Sequence, residues 1–136
     1  MATRNGTRNR EPKQKKPSKY RNKRVVYDGY NFDSKAECQY YIDLKERKLR
    51  GEITDFKMQV PFVLQEGYLS PSTGKKIRPI TYISDFIVTF PDGREIVQDV
   101  KGSRGFMTEV FKLKKKLFEF RYKIPLEIVT VKVPRS

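Results

Sequence analysis

Thr81 to Phe90, rich in aromatic and β-branched residues, and Glu95 to Val100 stand on either side of Pro91-Asp92-Gly93. A three-residue loop of this composition suits a type I turn closed by a left-handed glycine, and it joins antiparallel strands. Thr81 to Phe90 is apolar on both faces, which predicts a central strand covered on each side rather than one facing water. Whatever else the chain forms must be layered around this hairpin.

The turn also sets a register. Pairing Phe90 with Arg94 and counting back along both strands places Asp85 opposite Asp99. Directly opposed residues have Cβ atoms about 4.5–5.5 Å apart, and like charges at that spacing destabilise a sheet. Asp85 is expected to share its face with Ile83 and Ile87, and Asp99 with Val97, so both acids sit among core-type residues. A divalent cation between them would turn repulsion into coordination, and hard oxygen ligands with positions left for water suit Mg²⁺. The alternative is a register displaced by one residue, with both acids solvated at strand ends. Alternation puts Lys101 on the face of Asp99, where its ammonium could position a water or steady charge on a phosphoryl transition state.

Around the hairpin, the patterns predict Val25-Val26-Tyr27 and Tyr30-Asn31-Phe32 as a short hairpin turning at Asp28-Gly29. A helix follows, capped by Asp33 or Ser34, running through Leu49 and stopped at Gly51. Ile53 to Phe56 and Val60 to Leu64 are expected to be extended, with Pro61 marking an edge, and Ser70 to Lys76 a polar loop. Thr108 caps a second helix of about 14 residues, and Leu126 to Val131 forms a last strand. This order implies an α/β or α+β fold, a mixed central β-sheet flanked by helices.

On the first helix Glu37 falls in the middle of an otherwise apolar side with Ala36, Cys38, Tyr40, Tyr41, Ile42, Leu44 and Leu49. A carboxylate there needs a partner. A cation could supply one; Ser34-Lys35-Ala36-Glu37 also matches a capping box, in which Glu37 reaches back to the helix start. On the second helix Val110, Leu113, Leu117 and Phe120, with Phe111 and Phe118, are expected to face the core, with Lys112, Lys115, Lys116 and Lys123 outward. Lys114 and Arg121 fall within the apolar arc, either as buried stems with heads at the rim or, for Lys114, as a phosphate contact. No heptad or apolar patch announces an interface.

The chain has 136 residues, enough for one ordinary domain. Its 30 Lys and Arg against 16 Asp and Glu make +14, a charge suited to a polyanion. Residues 1 to 24 hold ten basic residues and one acid, Glu11, a net +9 that leaves +5 for the rest. The expected organisation is a disordered basic arm over 1–19 and a folded domain over 20–136; the arm either binds phosphates through charge or serves as a solubilising tail. The absence of His and the single Cys38 exclude zinc fingers, His-dependent nucleases and an internal disulfide. Any metal must be held by acids. No apolar run of membrane length or signal-peptide core is present, so a cytoplasmic protein without membrane partners is expected.

Three stretches, Phe32-Asp33-Ser34-Lys35-Ala36-Glu37, Tyr82-Ile83-Ser84-Asp85-Phe86 and Asp99-Val100-Lys101-Gly102, resemble the PD-(D/E)xK nuclease superfamily, and especially its small phage and prophage recombination endonucleases. Ser84 stands where the superfamily pattern has Pro, and Asp99 is the Asp form of its second acid. The resemblance covers about residues 20 to 131. It implies a restriction-endonuclease-like core in which Glu37, Asp85 and Asp99, with the Val100 carbonyl, hold Mg²⁺, with Mn²⁺ able to substitute, while Lys101 assists the attacking water. It further implies hydrolysis of DNA phosphodiesters, on branched or Holliday-junction-like DNA in recombination or replication, by a homodimer with no small-molecule cofactor. Lys23, Arg24, Lys35, Arg104, Lys114 and Lys115 are the candidate DNA contacts. The competing readings are a non-catalytic basic DNA-binding protein, whose acids are structural, and a nuclease subunit targeted by a partner.

Overall fold

A computed structural model describes residues 24–102 and 107–133. In chain order it contains β1 (Val25–Tyr27), β2 (Tyr30–Phe32), α1 (Lys35–Leu49), β3 (Asp55–Gln65), β4 (Tyr68–Leu69), β5 (Lys76–Ile77), β6 (Ile80–Thr89), β7 (Glu95–Gly102), α2 (Glu109–Tyr122) and β8 (Leu126–Val131). The main sheet has the order β3-β6-β7-β8. Its first three strands are antiparallel and β8 runs parallel to β7 across the α2 connection, so the sheet is mixed and the fold is α/β. Pro61 lies on β3, an edge strand, as its missing N–H requires. The polar loop at Ser70–Lys76 is part of a small hairpin, β4–β5, which two residues per strand left too short to read from alternation.

Each helix starts where its capping chemistry dictates. The Ser34 hydroxyl accepts from the Glu37 N–H at 3.1 Å and the Thr108 hydroxyl from the Phe111 N–H at 3.0 Å. Lys123, left-handed at φ 62°, closes α2.

The two helices cover opposite faces of the sheet, and each seals its own core. Beneath α1 lie Phe32, Tyr40, Tyr41, Leu44, Phe86, Val88 and Val100, with Phe56 and Met58 against them. On the α2 side lie Leu64, Tyr82, Ile87, Val97, Phe118 and Leu126, with Val60, Phe62 and Phe111. Strands should keep even positions on one face, yet Phe56 and Met58 face α1 while Val60 and Phe62 face α2. In β6, likewise, Phe86 and Val88 face α1 while Tyr82 faces α2. Both strands therefore turn over at one level, between Met58 and Val60 and between Tyr82 and Phe86. The expectation that Asp85 shares a face with Ile83 and Ile87 fails for this reason: Ile87 is buried on the α2 side, whereas Ile83 is exposed.

The core side of α2 is also narrower than its composition suggests. Phe118 is fully buried, but Val110, Leu113 and Phe120 are 63%, 57% and 74% exposed and do not face the core. The helix rests on Phe111, Leu117, Phe118 and Tyr122, and Val110, Leu113 and Phe120 turn into solvent, as does Leu49 at the end of α1. No helix among the described residues is long and apolar enough to cross a membrane.

Candidate active site

The hairpin turn closes as its composition demands, with the Phe90 N–H donating to the Arg94 carbonyl at 2.8 Å. Pairing then runs through Thr89↔Glu95 and Ile87↔Val97 to Phe86↔Gln98, where it stops. The next pair in that count is Asp85 with Asp99. In place of a backbone carbonyl, the Asp85 side chain meets the neighbouring strand: the Val100 N–H donates to Asp85 Oδ2 at 2.7 Å. The turnover of β6 lets a side chain occupy the ladder plane, and β6 and β7 part there.

Asp99 is buried against this opening. The Tyr82 hydroxyl donates to its Oδ1 at 2.7 Å. Lys101 Nζ lies 3.0 Å from its Oδ2, yet that buried oxygen has no aligned hydrogen-bond donor. Lys101 is held from the other side by the Phe111 ring of α2, with Nζ 4.2 Å from the ring centre.

Glu37 arrives from the first turn of α1, whose start lies beside the end of β7: a Cβ built on Gly102 would sit 4.0 Å from the Ala36 Cβ. Its Oε1 accepts from the Asp33 N–H at 3.0 Å, one residue earlier than a standard capping box, and its carboxyl stands near Asp85. Glu37 thus caps the helix, as the capping-box reading expects, and also lies near Asp85. Burial, then the neighbouring Glu37 carboxyl, then the charge of Asp99 push the Asp85 carboxyl up to about 10, against the pull of the Val100 N–H. Burial and the Asp99 charge likewise hold the Tyr82 hydroxyl in its protonated, donating form.

The oxygens gathered here are carboxylate oxygens, the hard donors that divalent cations such as Mg²⁺ prefer. Asp85 is pressed against Glu37, and Asp99 Oδ2 is a buried oxygen without a hydrogen bond. Among the described residues no group of three or more acids is placed to hold a metal ion as it stands. An incomplete oxygen set is compatible with Mg²⁺, which keeps several of its waters.

Two partners escaped the sequence reading. Tyr82 lies three residues before Asp85, so strict alternation assigns it the opposite face; the turnover of β6 brings it to Asp99. Ser84, fully buried, donates through its hydroxyl to the Val60 carbonyl at 3.0 Å, fastening β6 to β3 at the turnover. No local pattern signals either contact.

The expected DNA contacts are distributed unevenly. Lys35 is exposed at the start of α1, and Arg24 lies 3.9 Å from Asp33. Lys114 donates to the Thr81 carbonyl at 3.0 Å, the buried-stem arrangement, and Lys115 pairs with Glu119 at 3.2 Å. Arg121 reaches Glu66 at 2.7 Å. Lys23, Arg104 and the arm expected over 1–19 lie outside the described residues.

A mixed sheet between two helices, with three acids and a lysine gathered where its central strands part, defines a small α/β protein with a polar, acid-lined site. The chain belongs to the family described as "Protein of unknown function (DUF1064)", whose match spans residues 17–134. The search of the curated proteins finds no match.

Proposed function

We propose that this protein is a Mg²⁺-dependent DNA endonuclease of the PD-(D/E)xK type. The observation that carries the reading is the end of the β6–β7 ladder, where Asp85 leaves the face pattern to bond Val100 beside Asp99, Lys101 and Glu37. A sheet stabilises nothing by placing three carboxylates together; a cation-dependent site explains the cost. The excess of positive charge supplies attraction for a polyanionic substrate.

Glu37, Asp85 and Asp99 would hold the ion, with the Val100 carbonyl as the remaining protein ligand. When bound, Mg²⁺ lowers the pKa of a coordinated water and offsets charge on the phosphate. The residues' own tasks follow from their contacts. Tyr82 would fix the rotamer of Asp99, leaving Oδ2, beside Lys101 but without a hydrogen bond, as the oxygen that could face an ion. Lys101, braced on Phe111, offers N–H donors to the attacking water or to the phosphoryl oxygens. Asp85 would hold the ion only as the carboxylate, so ion binding should strengthen as pH rises.

A second copy is the partner proposed for the outer face of α2. Met107, Val110, Leu113, Leu117, Phe120 and Ile124 recur at intervals of three and four, and all but the half-buried Leu117 are exposed. The stripe reads nearly alike in both directions. Antiparallel pairing about a two-fold axis sets Val110 against Phe120 and Leu113 against Leu117, and brings Glu109 to the level of Arg121. A branched DNA substrate fits two such subunits, one for each strand cut.

The test is cleavage of linear, single-stranded and four-way DNA by the purified protein with Mg²⁺ or Mn²⁺. Cleavage that disappears in Asp85→Asn supports the reading. DNA binding with a steep salt dependence, without cleavage or Mn²⁺ uptake in calorimetry, would instead establish a non-catalytic binder.

A further inference from the structure

Three non-glycine residues among those described have positive φ: Asp28 at 57°, Lys123 at 62° and Gln59 at 55°. Asp28 sits in the β1–β2 turn and Lys123 closes α2, both ordinary places for a left-handed residue. Gln59 has no such reason. It lies in the middle of β3, where a left-handed residue interrupts the pleat at a conformational cost that glycine would avoid.

Its position is specific. Met58 pairs with Phe86 and Val60 with Ser84, so Gln59 lies across from Asp85. It is also the residue at which β3 passes its even positions from the α1 core to the α2 core, at the level where β6 does the same. Ser84 locks the two strands together one step further on through its bond to the Val60 carbonyl. The turnover that frees the Asp85 carboxylate to reach Val100 is thus shared by both strands, and Gln59 is its left-handed element.

A glycine would make that turn with less strain, so the side chain needs its own explanation. Gln59 is exposed, and its amide makes no side-chain hydrogen bond to the described residues. A neutral group with two N–H donors adds no charge to the acids and can donate to an anionic oxygen. We propose that Gln59 is a further residue of the site: its left-handed backbone holds the turnover that positions Asp85, and its amide donates to a non-bridging oxygen of the scissile phosphodiester. The second half rests on the nuclease reading; the first does not.

Two substitutions separate the halves. Gln59→Gly keeps a left-handed backbone and removes the amide. It should leave Mn²⁺ affinity by calorimetry and the exchange protection of the Val100 amide within about twofold of wild type, while kcat falls about 10- to 100-fold with KM little changed. Gln59→Val disfavours the left-handed region and should deprotect the Val100 amide and weaken Mn²⁺ binding by about tenfold or more. Wild-type cleavage by Gln59→Gly would overturn the amide's role. An unchanged Val100 exchange rate in Gln59→Val would overturn the backbone's role. Wild-type protein that binds Mn²⁺ but cleaves no DNA would sink the nuclease reading and the amide's role with it, while the Val100 comparison still decides the backbone's.

Discussion

Replacing Asp85 by Asn should stabilise the ion-free protein. Folding moves this carboxyl from 3.8 to about 10, because burial and the neighbouring Glu37 and Asp99 disfavour its charge. Between those values the folded state holds a proton that the unfolded state has lost, so stability falls as pH rises through the window. At pH 7 the ceiling on that loss is about 4 kcal/mol, from 1.36 kcal/mol per unit over the interval above 3.8. Local relaxation and water entry reduce it, and we expect about 1–3 kcal/mol. Asn keeps an acceptor for the Val100 N–H and gives Glu37 a donor, so it reproduces the protonated acid. At about 4 °C per kcal/mol for a domain of this size, Tm should rise by roughly 4–12 °C at pH 7 in EDTA. Calorimetric scans of both proteins from pH 4 to pH 8 provide the assay: the curves should nearly coincide at the acid end and separate steadily above it. Saturating Mg²⁺ should then raise the wild-type Tm and leave the variant's almost unmoved. A variant less stable than wild type, or a difference independent of pH, would refute the account of Asp85 as a strained acid.

Glu37→Gln retains an acceptor for the Asp33 N–H, so helix capping should survive with Tm unchanged or slightly higher, while Mn²⁺ affinity in calorimetry drops about tenfold or more; unaltered affinity would return Glu37 to the cap alone. Asp99→Asn and Lys101→Met should each lower kcat for DNA cleavage by about 100-fold or more with circular dichroism unchanged, and residual activity near wild type would exclude them from the chemistry. Phe120→Glu should convert a dimer to a monomer in sedimentation equilibrium, and a wild-type protein that is monomeric at high concentration would dismiss the α2 stripe as an interface.

Much of the fold was legible because local rules and global packing agree. Ser34 and Thr108 cap the helices they announce, Pro91-Asp92-Gly93 closes the hairpin in the expected register, and Pro61 lies at an edge. Where inference from the chain failed, it relied on unbroken periodicity. Ile83 was placed on the buried face of Ile87, and the contact of Tyr82 with Asp99 went unforeseen, because β6 turns over. Val110, Leu113 and Phe120 were assigned to the core because apolar residues on a helix are ordinarily buried by the same molecule, and here they are not.

The candidate site divides along the same line. The count back from the turn sets Asp85 at the level of Asp99, with Lys101 on the side of Asp99, since a turn's geometry is local and a strand's period is two; the ladder itself ends one pair earlier, at Phe86↔Gln98. That Asp85 bonds Val100, that Tyr82 holds Asp99, and that Glu37 reaches both its helix start and Asp85 depend on the close approach of β3, β6, β7 and α1. Those contacts join residues up to dozens of positions apart, and only packing, which balances the left-handed Gln59 and the buried acids against the rest of the core, decides them.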